Sequence, residues 1–209
     1  MKKKEIVNGL HEPHGIYKMS IQTFRYGDRG TVISVSGVVP TVHARHWKRE
    51  WEIGATQDKG MIILQLEDLF GGKDEDHDFL CQRAELIVDE MLENALYSAP
   101  RDSFGKLLFA KGSERNLLPY EKISLSCGFD GEQLFLEVRD SWGSLSSETV
   151  EHFLTMNHND TDPGSDRAGR GLFIMWKFLD YFYVDINPGV WTTMGGVLSL
   201  NPVIVEAGA

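Results

Sequence analysis

The chain has 209 residues, of which 42% are hydrophobic and 25% charged, enough apolar content for a packed core and too much for wholesale disorder. Its formal net charge of −10 at pH 7 argues against a nucleic-acid-binding role, because phosphate binding needs a basic surface. The two cysteines, Cys81 and Cys127, make no disulfide framework and fit a reducing compartment. Charge is uneven: residues 1–50 carry a balance of +5 and the remaining 159 residues a balance of −15. The start, MKKKEIVNGLHEPHG, is basic but is followed by no apolar run, so it does not read as a secretory signal. No apolar stretch approaches the ~18 residues a membrane helix needs. The expectation is a soluble, cytoplasmic chain with no membrane and no nucleic-acid partner.

In chain order, residues 31–40 (TVISVSGVVP) are rich in β-branched side chains and end at a proline, which predicts a strand. Residues 41–55 read as a short helix, with Trp47 and Trp51 at i, i+4. Residues 61–70 (MIILQLEDLF) read as a strand by their length and bounding glycines. An acidic loop follows at 71–78, in which Asp76 or Asp78 is the expected helix cap. A helix is predicted over 78–99, stopped by Pro100. Residues 101–120 have mixed charge and no period, and read as a loop. Residues 121–140 alternate on either side of Asp130-Gly131, which predicts a hairpin with a primed turn. Residues 146–158 start at a serine with a glutamate close behind, as a capped helix does. Residues 159–171 read as a flexible loop. Residues 172–184 run from helical spacing into strand-like aromatics, Pro188-Gly189 turns the chain, and residues 192–205 close the sheet.

Three separated pieces carry chemistry. On the predicted 78–99 helix, Glu90 and Asn94 lie one turn apart on one face, set among apolar neighbours. Polar groups in such surroundings need a partner, from the protein or from a ligand. At the end of the hairpin, Asp140 is delivered into a loop, Asp140-Ser141-Trp142-Gly143-Ser144. Roughly 30 residues further on, the glycine-rich run GSDRAGRGLFI (164–174) opens a helix, and free N–H groups at a helix start favour anions. The pairs His11/His14 and His43/His46 have a metal-like spacing but no third ligand nearby.

In this order the three pieces resemble the GHKL (Bergerat-fold) nucleotide-binding superfamily, and GRGLFI with its short preceding loop is most similar to the anti-sigma-factor serine kinase branch. The resemblance covers roughly residues 80–201. It implies an α/β (α+β) two-layer sandwich, with a mixed, largely antiparallel sheet and helices on one face. It implies ATP and Mg²⁺ as cofactors, Asn94 as the metal ligand and Glu90 as the catalytic base. Asp140 would accept from the adenine amino group, with Trp142 and Gly143 beside it. Gly169 and Gly171 would cradle the phosphates, Arg167 and Arg170 would add charge-assisted contacts, and Thr192 or Thr193 (Thr193 in first place) would contact the base side. The sequence departs from the family's Asp-x-Gly-x-Gly box at Trp142 and Ser144, and Ser98 stands where many relatives carry a histidine. A tryptophan at that position either stacks on the base or fills its pocket.

The expected organisation is a β-rich segment over 1–75, part of or appended to a histidine-kinase-like ATP-binding domain over 76–209. The expected function is an ATP-dependent serine/threonine kinase that acts on a regulatory protein partner of the sigma-factor or anti-sigma antagonist type, with a homodimer left open. The alternative is a non-catalytic, pseudo-kinase-like nucleotide sensor that works by partner binding. A self-contained ATPase fits less well, because the chain carries no transducer domain after the sheet.

Overall fold

The computed structural model describes residues 48–150, 152 and 170–201, and the backbone of 3–6, 21–25, 31–35, 47, 151 and 153–155. Eight strands, β1 (Lys3–Ile6), β2 (Ile21–Arg25), β3 (Thr31–Val35), β4 (Trp47–Ile53), β5 (Ile123–Phe129), β6 (Gln133–Asp140), β7 (Tyr181–Asn187) and β8 (Trp191–Ser199), form one sheet in the order β1-β2-β3-β7-β8-β6-β5-β4. Each neighbouring pair is antiparallel. Among the described residues four α-helices accompany it: α1 (Asp58–Phe70), α2 (Glu75–Glu93), α3 (Ser147–Thr155) and α4 (Arg170–Phe178). The protein is thus mixed α/β, built on an antiparallel sheet.

Alternation in β6 explains how the sheet meets the helices. Leu134, Leu136, Val138 and Asp140 are buried, while the residues between them are not. Their antiparallel partners in β8 are Leu198, Gly196, Met194 and Thr192, which therefore share that face. Phe182, Val184 and Ile186 of β7 continue it, paired with Gly196, Met194 and Thr192. Ile87, Val88, Met91 and Leu92 of α2 and Leu172 and Met175 of α4 belong to the same apolar core. Gly196 has no room for a side chain, because a Cβ there would come 2.6 Å from Leu179.

Two segments differ from the sequence expectation. Residues 47–53, expected in a short helix, are β4, paired along its whole length with β5 from Trp47↔Phe129 to Ile53↔Ile123. A spacing of four places Trp47 and Trp51 on one side of a helix and equally on one side of a strand, so the tryptophans alone could not decide. Residues 61–70, expected as a strand, lie in α1. Ile62, Leu66 and Phe70 are buried at intervals of four while Met61 and Leu64 are exposed, which is the helical period. The cap of α2 is Asp74, not Asp76 or Asp78: its carboxylate accepts the His77 N–H at 2.9 Å. Asp78 instead accepts the N–H of Gly72 at 2.6 Å and closes the turn between α1 and α2.

Elsewhere the elements follow the pattern read from the sequence. The hairpin β5–β6 turns through Gly131 at φ 106°, a value that suits glycine. The Asp130 carboxylate accepts the N–H groups of Glu132 and Gln133 and fixes that turn. Ser146 caps α3 by accepting from Thr149 N–H at 3.1 Å. Residues 36–46, the predicted flexible loop up to 169, both His-x-x-His pairs and the end of the chain from 202 lie outside the described residues.

Candidate functional site

The site is assembled from α2 upward. This helix does not stop at Glu93 but continues as a single π-helical turn, Asn94–Ser98, in which Ala99 N–H reaches back to Asn94 C=O at 2.8 Å. The wider turn begins at Asn94. Such turns recur at functional sites because they re-aim one side chain relative to the regular helix below. The segment beyond Pro100 clamps the π turn from outside. Arg101 donates to Ser98 C=O at 3.1 Å, the Tyr97 hydroxyl donates to Ser113 C=O at 3.1 Å, and Arg115 donates to Leu96 C=O at 3.0 Å. Lys59 of α1 and Lys111 both pair with Glu93, which holds the carboxylate of Glu93 below its usual range against the opposing effect of burial.

Glu90 and Asn94 face the start of α4. Gly171, its second residue, is buried, and a Cβ built there would lie 2.6 Å from Glu90 Oε2 and 3.3 Å from Asn94 Nδ2. Only glycine lets α4 come this close to the two polar side chains. The Asn94 amide nitrogen is buried and has no hydrogen-bond partner among the described residues. An unsatisfied buried polar atom is costly in a protein interior, which makes Asn94 a candidate contact for a ligand.

The second half of the site lies at the end of β6. Asp140 is 3% exposed and is set directly opposite Thr192 of β8. Its Oδ1 accepts the Trp142 N–H at 2.8 Å and the Gly143 N–H at 3.4 Å, and the Thr192 N–H also donates to the carboxylate. Burial outweighs these bonds and pushes the carboxyl up to about 6. The Thr192 hydroxyl oxygen is buried without a partner among the described residues, and so is the indole nitrogen of Trp142. Trp142 packs edge-to-face with Tyr120, their ring centroids 6.1 Å apart. Ser141 fastens this corner by accepting from Lys122 N–H at 2.9 Å.

Of the expected residues, the structure brings Glu90, Asn94 and Gly171 together, and sets Asp140, Trp142 and Gly143 on one loop. Gly143 serves that loop's packing: it has φ 56°, and a Cβ there would run into Asn187 C=O and lie 2.6 Å from Val190 N. Its own C=O accepts the Gly189 N–H at 2.9 Å, which joins the Asp140 loop to the β7–β8 turn. Arg170 is exposed at the first position of α4, while Arg167 and Gly169 lie outside the described residues. The two threonines separate cleanly. Thr192 shares the face of Asp140, whereas Thr193 pairs with Arg139 and Asp185 on the opposite face. Sequence reasoning placed Thr193 first; the strand register, which a single unpaired strand does not reveal, brings Thr192 to the site instead.

Cys81 and Cys127 are buried free thiols, each pushed up to about 12 by burial, and neither suits nucleophilic chemistry. Among the described residues no group of three or more His, Cys, Asp or Glu could hold a metal ion, and no helix is long and apolar enough to cross a membrane. No family model matches the chain, and no curated protein matches its sequence.

Proposed function

We propose that this protein binds Mg²⁺-ATP in a Bergerat-type two-layer sandwich and uses it as a regulatory serine/threonine kinase on a protein partner of the sigma-factor or anti-sigma antagonist type. The observation that carries the reading is the convergence of Glu90, Asn94 and Gly171, three residues from two distant sequence motifs, around an unsatisfied amide nitrogen, a donor suited to a phosphate oxygen. The donor set fits the group. An asparagine carbonyl is a hard oxygen suited to Mg²⁺, which keeps several waters and is otherwise held by phosphates. Bound nucleotide would supply a transferable γ-phosphoryl group. Asn94 then serves the metal, and the close approach at Gly171 leaves backbone N–H groups of the α4 start for phosphate oxygens. Glu90 orients an incoming hydroxyl and takes its proton, and phosphoryl transfer asks little more of a protein than such positioning and charge neutralisation. At the other end Asp140, when ionised, accepts from an exocyclic amino group, and the unpartnered Thr192 hydroxyl offers a second bond beside it.

The test is thermal unfolding with and without Mg²⁺-ATP. At 100 times Kd a ligand contributes ~2.7 kcal/mol, which for a chain of this size raises Tm by several degrees. Asn94→Ala should lose the magnesium-dependent part of that rise and remain folded. Unchanged wild-type melting at millimolar nucleotide would reject the site.

A second reading, a nucleotide sensor without catalysis, is supported by Trp142. Its ring occupies a position where relatives in the resembled family carry glycine, and its indole N–H is buried and unpartnered. Glu90→Gln separates the two readings. In a kinase it abolishes transfer and keeps nucleotide binding; in a sensor the wild type already transfers nothing.

A further inference from the structure

The segment that clamps the π turn carries a second feature. Between Arg101 and Leu107, joined by an isolated β-bridge, the chain makes a tight knob. The Asp102 carboxylate accepts the N–H groups of Phe104 and Lys106, each at 2.9 Å, and the Asp102 C=O accepts the Gly105 N–H at 3.0 Å. The Asp102 N–H in turn donates to Lys106 C=O at 2.9 Å, and the Leu108 N–H to Pro100 C=O at 3.0 Å. Arg101 closes the base by donating to Gly105 C=O at 2.8 Å. At the tip Phe104 is 93% exposed, with Leu107 and Leu108 at 48% and 42%.

The knob's backbone is bonded largely to itself. A turn whose N–H groups are already satisfied enters a lipid layer without the penalty that free donors carry there. Its charge points the same way. From Arg101 to Lys111 there are three cations and one carboxylate, on a chain of net charge −10. The carboxylate, Asp102, is engaged by the turn's own N–H groups, while Arg101, Lys106 and Lys111 are exposed. Lys111 also reaches Glu93 at 3.0 Å, yet its side chain stays 73% exposed. At physiological ionic strength charges are screened beyond ~8 Å, so the knob meets an anionic surface with its own sign and not the chain's. Long cationic side chains beside an apolar tip place their heads at lipid phosphates while the ring enters the layer beneath. A protein pocket would accept the ring, but it needs neither the self-bonded backbone nor the cations. We propose that the Arg101–Lys111 knob docks this protein on an anionic lipid surface, with Phe104 in the headgroup layer and Arg101, Lys106 and Lys111 on lipid phosphates. Such a contact is peripheral, needs no membrane-spanning helix and does not depend on nucleotide. The same segment holds the π turn, through Arg101 on Ser98 C=O and Lys111 on Glu93, so docking brings the lipid to the backbone that supports Asn94.

The test is co-sedimentation of the full chain with large vesicles, phosphatidylcholine alone against an equal mixture of phosphatidylcholine and phosphatidylglycerol. The wild type should pellet with the anionic vesicles, stay in solution with the neutral ones, and be released by raised salt. Phe104→Ser, at an exposed position, should keep its circular dichroism and weaken binding roughly tenfold or more. Lys106→Glu should weaken it about tenfold. Leu64→Ser, exposed on α1, should leave it unchanged. Insertion is read with Phe104→Cys carrying a polarity-sensitive dye: Cys81 and Cys127 are buried, so the new thiol is the one that labels. Its emission should shift to the blue on anionic vesicles only. Binding to neither vesicle, equal binding to both, or a Phe104→Ser variant that binds like wild type would overturn the proposal. So would a wild-type chain that self-associates without lipid and loses this in Phe104→Ser, which would assign the knob to a protein contact.

Discussion

In the proposed site, Asp140 would set recognition against stability. Its carboxyl titrates near 6 in the fold because burial outweighs three backbone N–H donors, against 3.8 for an ordinary aspartate. A raised value means the folded state holds the proton more tightly than the unfolded one, so the stabilisation is complete below about 4 and is lost as pH rises through about 6. Above that the ionised group costs on the order of 3 kcal/mol. Asp140→Asn, which cannot ionise, should therefore melt higher than wild type at pH ~8 by about 2 kcal/mol, and the gap should close toward pH ~4. The same variant should lose nucleotide affinity, because an ionised acceptor is gone. Wild-type affinity should likewise fall below pH ~6 as the acceptor protonates. A constant gap across pH, measured by thermal melts of both proteins, would show that folding does not raise the Asp140 pKa. Gly171 makes a simpler demand. A single methyl would meet Glu90 Oε2 at 2.6 Å, so Gly171→Ala must push α4 or Glu90 aside, at roughly 1–3 kcal/mol of stability and most of the ligand-induced rise in Tm.

Among the elements, α2, the β5–β6 hairpin and α4 were readable from sequence because one period ran through each. The buried Leu80, Ala84, Ile87, Val88, Met91 and Leu92 trace one helical face, and the alternation in β5 and β6 has no competitor. The exchange of helix and strand between 47–53 and 61–70 has a physical cause. A short apolar run such as MIIL fits either period, and what decided β4 was its pairing with β5, a contact with residues about 75 positions away. The π turn left no local signal, since its hydrogen bonds depend on the residues that clamp it. The Glu90–Asn94 spacing survives in either geometry, so the candidate pair that faces Gly171 was legible where the turn was not. That clamp rests on Arg115, whose guanidinium binds both oxygens of the buried Glu121 at 2.6 and 2.9 Å and lies 3.6 Å over the Phe109 ring. Removing one member of such a pair leaves a buried charge. Arg115→Ala should cost ~3–5 kcal/mol, while the isosteric Glu121→Gln should cost less. Urea unfolding of the two variants checks the order; an inexpensive Arg115→Ala would mean that the pair does not hold the turn.

At the scale of the molecule, the candidate site exists only because the sheet closes. Asp140 ends β6 and Thr192 is the second residue of β8, so their pairing requires the chain to pass through α3, α4 and β7 first. Glu90 and Asn94 wait on α2 for Gly171, some 80 residues later, to be carried against them. A ligand that spans these parts should bind them as a unit, and hydrogen exchange reads this directly, since local opening is suppressed wherever bound ligand must leave first. With Mg²⁺-ATP at saturation, amides of residues 90–99, 140–143, 170–175 and 191–193 should slow together. The β5–β6 turn around Asp130, at the opposite end of the hairpin from Asp140, should keep its rates. Protection confined to 170–175 would indicate an anion held by the helix start alone. Protection of 140–143 and 191–193 without 90–99 would leave the Asp140 corner as a base site and remove the metal from the mechanism. Only slowing of all four segments, lost on Asn94→Ala at 90–99 first, fits a single nucleotide bound from base to γ-phosphate.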